Sequence, residues 1–376
     1  MNILIDIGHP AHVHLLRNFY NEMTERGHHV IVTVKDIPAA MQLLDLYGIP
    51  YLFLGKKYDS IFMKGVEQFL YDIKIWWIAI RHRIDIGIGT SITLAHVSKM
   101  CRMRSIILDD DDDAVEPLFA KYAHPFADVI LSPDGTPRKS RKTLYYPAYH
   151  ELAYLHPHRF TPDVSVLDDA GIPYEVQQNG SVHISQPYFI LRFNAFKAHH
   201  DVGVVGLTIE NKRHLVQLLS QYGRVFITTE RNIDEEFKPY QLRVSPEKAH
   251  SLMYYATMLI GDSQTMTSEA AVLGTPAIRC NTFVGRIHYL EEEEHSYQLT
   301  YGFRPEHSEQ MFAKIQDLLS MGTESLKTEW NIRRQRLLQD KIDYTKFLIW
   351  YVENYSASVK EAKDEATNDE FWHSFK

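Results

Sequence analysis

The chain has 376 residues, 45% apolar and 23% charged, which is the composition of an ordinary globular protein and a length that predicts two domains rather than one core. A formal charge of −8 argues against a nucleic-acid partner and against general affinity for anionic surfaces, although it leaves room for a local basic face. Cys101 and Cys280 are far apart and show no metal-ligand spacing, so neither a disulfide framework nor a zinc site is expected and a reducing cytoplasm is the default setting.

The first half alternates short apolar strands with helical stretches. Strands are predicted from Asn2 to Ile7, Val30 to Val34, Tyr51 to Leu54, Ile84 to Ile88, Ser105 to Leu108 and Val129 to Leu131. Helices are predicted from Leu15 to Arg26, Ala39 to Tyr47, Phe69 to Arg83 and Thr93 to Lys99. Alternation of this kind means βαβ units and a parallel sheet. The opening strand lacks the basic start and long apolar core of a signal peptide, and no run reaches the roughly 18 apolar residues of a membrane span. The aromatic helix that contains Trp76 and Trp77 is flanked by basic residues. Packing on a sheet is its ordinary use, and peripheral contact with a membrane is the other.

Between Pro147 and Gln186 the sequence turns rich in Pro, His, Asp and Gly, which marks an interdomain region. A second alternating series follows. Strands are predicted from Tyr188 to Phe193, Arg224 to Thr228, Gln241 to Val244, Met258 to Ile260 and Ala277 to Cys280. Helices are predicted from Glu210 to Tyr222, Pro246 to Tyr255 and around Thr265, then from Ser308 to Met321 and Glu324 to Tyr355. The expected architecture is α/β, with two Rossmann-like domains whose parallel sheets face a cleft. The boundaries expected are 1–165, 166–345, and 346–376 for a helix end and a polar, mobile tail.

The stretch from Gly261 to Pro276 carries the most chemistry. Met258-Leu-Ile-Gly reads as a buried strand, and Asp262, Ser263 and Thr265 supply oxygens that start a helix. A helix start at a strand's carboxyl end presents free N–H groups and the positive end of the dipole, so a diphosphate is stabilised there without a lysine. Glu269, about one and a half turns further on, can accept both hydroxyls of a ribose. The plain alternative is a capped core helix with a solvated glutamate. The run Asp109 to Asp113 also emerges at a strand's carboxyl end, where burial would raise one carboxyl pKa and make a usable general base. Metal binding by this run competes with that use, since hard cations want clustered oxygens.

These motifs resemble the GT-B glycosyltransferase superfamily. Asp262-Ser-x-x-x-x-Ser-Glu269-Ala-x-x-x-Gly274-x-Pro276 is similar to the nucleotide-sugar motif of the lipid-II-forming N-acetylglucosaminyltransferase and of the UDP-N-acetylglucosamine 2-epimerases. Over roughly residues 1–350 the chain looks like an uncharacterised, domain-of-unknown-function branch of that superfamily. The loop Ile7-Gly8-His9-Pro10-Ala11-His12-Val13-His14 matches the transferase's first loop, and His12 keeps the family's interval of fifteen residues to Gly27. It has one glycine and three histidines where that family has a glycine-rich loop. The resemblance implies that Gly8 approaches phosphate and that a neutral His12 removes an acceptor proton or holds phosphate. It also implies that Arg192, His199 in the loop Lys197-Ala-His-His200, and Arg286, ten residues after Pro276, face the diphosphate. Val244 would meet the uracil edge through its backbone, while Ser263, Thr265 and Glu269 hold diphosphate and ribose.

Transfer and epimerisation separate at the acids. The epimerases carry an aspartate where this chain has Gly89, and Asp109 to Asp113 replace a second segment, with Glu116 as a stand-in for a later acid. Transfer needs one base and charge stabilisation, so it survives the loss. The expectation is therefore a glycosyltransferase, inverting by its resemblance, that moves sugar from a UDP-sugar to a glycan or lipid-linked cell-envelope precursor. His12, Asp109 and Asp110 are the candidate catalytic groups. The family generally works without metal, so no metal and no cofactor beyond the donor substrate are expected. The N-terminal domain would take the acceptor and the second domain the donor, in the cytoplasm or at the inner face of the membrane. The alternatives are a UDP-sugar 2-epimerase or hydrolase of the same fold, and a non-catalytic nucleotide-binding or membrane-associated scaffold.

Overall fold

A computed structural model describes residues 1–55, 61–137, 140–193, 206–229 and 233–376. The chain forms two compact units, Met1–Arg159 with Lys341–Lys376, and Phe160–Asp340. The expected divisions at 165 and 345 fall a few residues later than these.

The first unit is built on seven parallel strands: β1 (Asn2–Ile7), β2 (His29–Val34), β3 (Leu52–Phe53), β4 (Ile86–Gly89), β5 (Arg104–Leu108), β6 (Val129–Pro133) and β7 (Thr143–Tyr146). Their order is β3-β2-β1-β4-β5-β6-β7. Helices cover both faces, so the inner strands must be apolar on both sides, and Ile3, Leu4 and Ile5 of β1 are buried accordingly. The helix Pro10–Glu25 packs with Pro38–Leu46, Leu152–Leu155 and Tyr344–Glu353. The helix Ile61–Arg81 packs with Ile92–Val97, which in turn packs with Pro117–Ala123.

The second unit holds β10 (Tyr188–Phe193), β11 (Arg224–Thr229), β12 (Met258–Gly261), β13 (Ala277–Cys280) and β14 (Thr300–Phe303), all parallel, in the order β11-β10-β12-β13-β14. A small antiparallel pair, β8 (Tyr174–Val176) and β9 (Val182–Ile184), precedes it. Among the described residues no helix is long and apolar enough to cross a membrane.

Several expectations change. Gln241 to Val244 is not a strand: one parallel bridge joins Gln241 to Ile227, because the segment lies between the short helical turns Glu235–Tyr240 and Pro246–Lys248, each holding a proline. The long helix expected from Glu324 to Tyr355 is two helices, Thr323–Asp340 and Tyr344–Glu353. It breaks because the Asp343 carboxylate caps the second helix, accepting from the Lys346 N–H at 3.1 Å, while the Ile342 N–H donates to the Pro147 carbonyl. The tail after Ser356 is folded. It forms the helices Ala357–Asp364 and Asp369–His373, and Trp372 and Phe375 are buried against Phe347 with ring centroids 5.3 and 5.5 Å away. Polar composition concealed these two aromatic anchors.

Candidate functional site

In an open parallel sheet, ligands gather at the carboxyl edge where the strand order reverses. In the first unit that point lies between β1 and β4, and in the second between β10 and β12.

At the first switch point, β1 runs into the helix Pro10–Glu25 through Gly8 and His9. His9 is the helix cap, its Nδ1 accepting from the Ala11 N–H at 3.2 Å. His14 is a packing residue, stacked on Tyr154 and paired with the Tyr47 hydroxyl. That leaves His12, half-buried, for the edge. The Gly8 N–H donates to its Nδ1 at 3.2 Å, so the neutral ring carries its proton on Nε2 and offers a donor there. Burial, then the neighbouring His9 and His150, push its pKa down to about 3 against the opposing pull of Asp110. His12 is therefore uncharged at any ordinary pH.

Asp109 and Asp110 leave β5 in different directions. The Asp109 carboxylate is buried and pairs with His124 Nε2 at 2.7 Å. Asp110 pairs with His150 Nδ1 at 2.9 Å. Burial pushes the Asp110 carboxyl up, but His150, by charge and hydrogen bond, and then His12 outweigh it and hold the pKa below the usual carboxylate range. An ionised carboxylate only accepts, so His150 donates from Nδ1 and its Nε2 keeps the lone pair when the ring is neutral. That nitrogen is buried and has no hydrogen-bond partner among the described residues. The ring is held by stacking on Tyr344 at 5.6 Å. One imidazole at this edge thus presents a donor, and the other carries a lone pair in its neutral form.

Surrounding loops are fixed by groups that the sequence reading did not single out. Buried Asp6 accepts from the hydroxyls of Thr33 and Ser91, and the Thr90 hydroxyl donates to the Leu108 carbonyl. Gly89 has φ +150°, and a Cβ there would lie 2.7 Å from the Asp6 carbonyl oxygen, so no side chain fits at this position. Asp109, Asp113 and His124 bring ligand atoms within 4.8 Å of one another, as do His156, His158 and Asp343. In the first group the Asp109–His124 pair, and in the second the bonds from Arg159 and Lys346 to Asp343, already use carboxylate oxygens.

At the second switch point β12 ends at Gly261. A Cβ there would meet the Arg192 carbonyl oxygen at 2.2 Å, so the close approach of β10 demands glycine. The helix Gln264–Leu273 begins at Ser263, whose hydroxyl accepts from the Met266 N–H at 3.3 Å, and Thr265 lies half-buried in its first turn. Gly274 ends the helix in the left-handed conformation. Glu269 is not solvated: it is buried and bonded to His250 Nε2 at 2.9 Å. Arg192, opposite Gly261 in register, reaches Thr228 Oγ1 at 3.3 Å. Val244 is half-buried and lines a pocket of about 500 Å³ along edge strand β11, with Asp169, Arg224 and Tyr240. Arg286 is exposed, its guanidinium over the Phe283 ring at 5.6 Å. His199 and the loop Lys197–His200 lie outside the described residues.

His12 and Asp110 are thus brought together at one edge, and Ser263, Thr265, Glu269 and Arg192 at another. His150 and His250 were missed. Neither sits in a recognisable motif, and only the fold shows the carboxylate each meets.

Among solved structures, the chain is similar to the Neisseria meningitidis UDP-GlcNAc 2-epimerase bound to UDP-GlcNAc, at TM-score 0.64 and 10% identity over 94% of this chain and 99% of that one. It is similar to UDP-N-acetylglucosamine 2-epimerase from Rickettsia bellii, at TM-score 0.60 and 16% identity over 98% and 99%. It is also similar to Acinetobacter baumannii MurG, at TM-score 0.56 and 12% identity over 94% and 99%. No curated protein sequence matches the chain. At these identities the likeness is one of fold, two Rossmann-like domains of the GT-B type. With residues 1–146 and 201–300 matched, the chain belongs to the family described as protein of unknown function, DUF354.

Proposed function

We propose that the protein is a glycosyltransferase that takes a UDP-sugar at the second unit's switch point and transfers the sugar to a glycan or lipid-linked envelope precursor. The observation that carries this reading is the Glu269–His250 pair beside the Ser263-capped helix start. A buried, oriented carboxylate suits two ribose hydroxyls, and the helix start suits the diphosphate. Arg192 and Arg286 supply charge for the leaving group, Val244 backbone edges for the base, and His199 a further contact to phosphate.

The acceptor is activated in the first unit. Its hydroxyl gives its proton to His150 Nε2 while Asp110 orients the ring and offsets the charge that forms. The acceptor oxygen bonds to the sugar's anomeric carbon, and the carbon–oxygen bond to the diphosphate breaks, its electron pair leaving with UDP. His12 acts as a neutral donor from Nε2, and the Gly8 N–H keeps it in that tautomer. Asp109 steadies the loop through His124. This chemistry uses no metal and no cofactor, and it belongs in the cytoplasm, at the inner face of a membrane when the acceptor is lipid-linked.

Gly89 favours transfer over epimerisation, since the packing against Asp6 admits no acid at that position. The test is incubation with a panel of UDP-sugars, with and without a lipid extract. UDP release that depends on the extract supports transfer. Conversion of the donor to its 2-epimer in the absence of any acceptor would replace this reading with the epimerase one. Binding of nucleotide with no turnover under any condition would leave a scaffold.

A further inference from the structure

We propose that the outward face of the helix Ile61–Arg81 is a docking surface for an anionic lipid bilayer. The helix is apolar on two sides. Tyr71, Ile75, Ile78 and Ala79 turn inward into the core of the first unit. Val66, Phe69, Leu70, Ile73, Trp77 and Ile80 form a second stripe, at spacings of three and four residues, and every one of them is exposed. From Val66 to Ile80 this stripe runs about 21 Å along the helix. In the second unit, by contrast, the exposed large apolar side chains among the described residues, Val176, Tyr222, Met321 and Ile332, are scattered over separate elements. Isolated exposure of that kind is ordinary, whereas a continuous aromatic stripe marks an interaction surface.

Charge identifies the occupant. Both acids of the helix are withdrawn from the outer face: Glu67 is buried and accepts from the Tyr71 hydroxyl at 2.6 Å, and Asp72 pairs with His96 at 2.8 Å. The exposed charged residues of this helix and its exit are Lys74, whose ammonium donates to the Leu54 carbonyl, Arg81, Arg83 and Asp85, whose carboxylate accepts from the Asn2 N–H at 2.8 Å; the Arg81 guanidinium lies over the Trp77 ring at 5.4 Å. A chain of net charge −8 has here gathered a cation-rimmed apolar face. Aromatic rings at headgroup depth beside basic side chains fit an anionic bilayer, where each basic group near the surface adds its own attraction. A second copy of the chain would bring the same positive rim against itself.

The proposal goes beyond the transferase reading and does not depend on it. The full chain is sedimented with large unilamellar vesicles of phosphatidylcholine alone and with one quarter phosphatidylglycerol. We expect binding to the anionic vesicles that weakens with added salt, and little binding to the neutral ones. Trp77→Ser and Phe69→Ser each lower vesicle affinity about tenfold, and Arg81→Glu lowers it on anionic vesicles only. All three keep the melting temperature and any nucleotide response of the parent chain, because these side chains have little protein contact to lose. No vesicle binding, or equal loss on both vesicle types for Arg81→Glu, overturns the proposal. So does concentration-dependent self-association in sizing experiments that the same substitutions abolish, which would make the stripe a contact between copies. A failure to bind nucleotide with normal vesicle binding would overturn only the transferase reading.

Discussion

The carboxyl edges of the two sheets share a topology and differ in chemistry. Each has a strand-order reversal with a loop-to-helix turn beside it. The seven-stranded sheet places there the His12 and His150 imidazoles and the Asp110 carboxylate, with the pKa of His12 and that of Asp110 both held low. The five-stranded sheet places there a hydroxyl-capped helix start, an arginine and a buried glutamate–histidine pair. Topology determines where a ligand can lie, and the side chains at that point determine whether it is held or changed. The account therefore assigns proton transfer to one edge and nucleotide recognition to the other.

The largest effect expected is on turnover. Asp110→Asn should lower kcat by roughly 10²–10⁴-fold, because the neutral amide cannot offset the charge that forms on His150, while nucleotide affinity stays unchanged. A matching loss of nucleotide affinity would break the division between the edges. Next comes Gly261→Ala, whose Cβ would press on a backbone carbonyl that cannot swing away. Urea unfolding should show a loss of about 3 kcal/mol or more, with Gly274→Ala smaller because the Cβ there meets the flexible Arg334 side chain.

A smaller effect reports on His12. Its folded pKa of about 3 lies below the ordinary 6.5, so the unfolded chain takes up a proton that the folded one refuses. The stability this histidine allows is complete above pH 6.5 and is lost as pH falls toward 3, at a limiting slope of about 1.4 kcal/mol per pH unit. His12→Gln should flatten the stability profile between pH 6.5 and 4.5. An unchanged slope would show that His12 titrates normally. The smallest expected effect is none: EDTA should leave turnover intact, and a loss restored by a divalent cation would turn Asp109, Asp113 and His124 into ligands.

Much of the fold was legible because parallel βαβ units write themselves as alternating apolar runs, and β1 was read with its observed limits. β14 and the short edge strand β7 escaped that pattern. The Ser263 cap was legible because capping is local in sequence. The partners of Glu269, Asp109 and Asp110 were not, since His250, His124 and His150 reach them only through the fold. The expectation that burial would raise the pKa of one of these carboxyls does not hold for Asp110, whose pairing with His150 keeps it below the usual carboxylate range. The aromatic helix shows the same limit. Its periodicity was visible, but two apolar faces overlie one another in the sequence, and only packing reveals that one is left outside.

The most direct measurement is a thermal-shift comparison of the protein with UDP, GDP, CDP, ADP and dTDP, repeated with Glu269→Gln, since a ligand that binds only the folded state raises its melting temperature. The account predicts a rise with UDP that the variant loses, corresponding to an affinity at least about tenfold weaker. No rise with any nucleotide, or a UDP response undiminished in the variant, would contradict the assignment of the donor to the β12 edge.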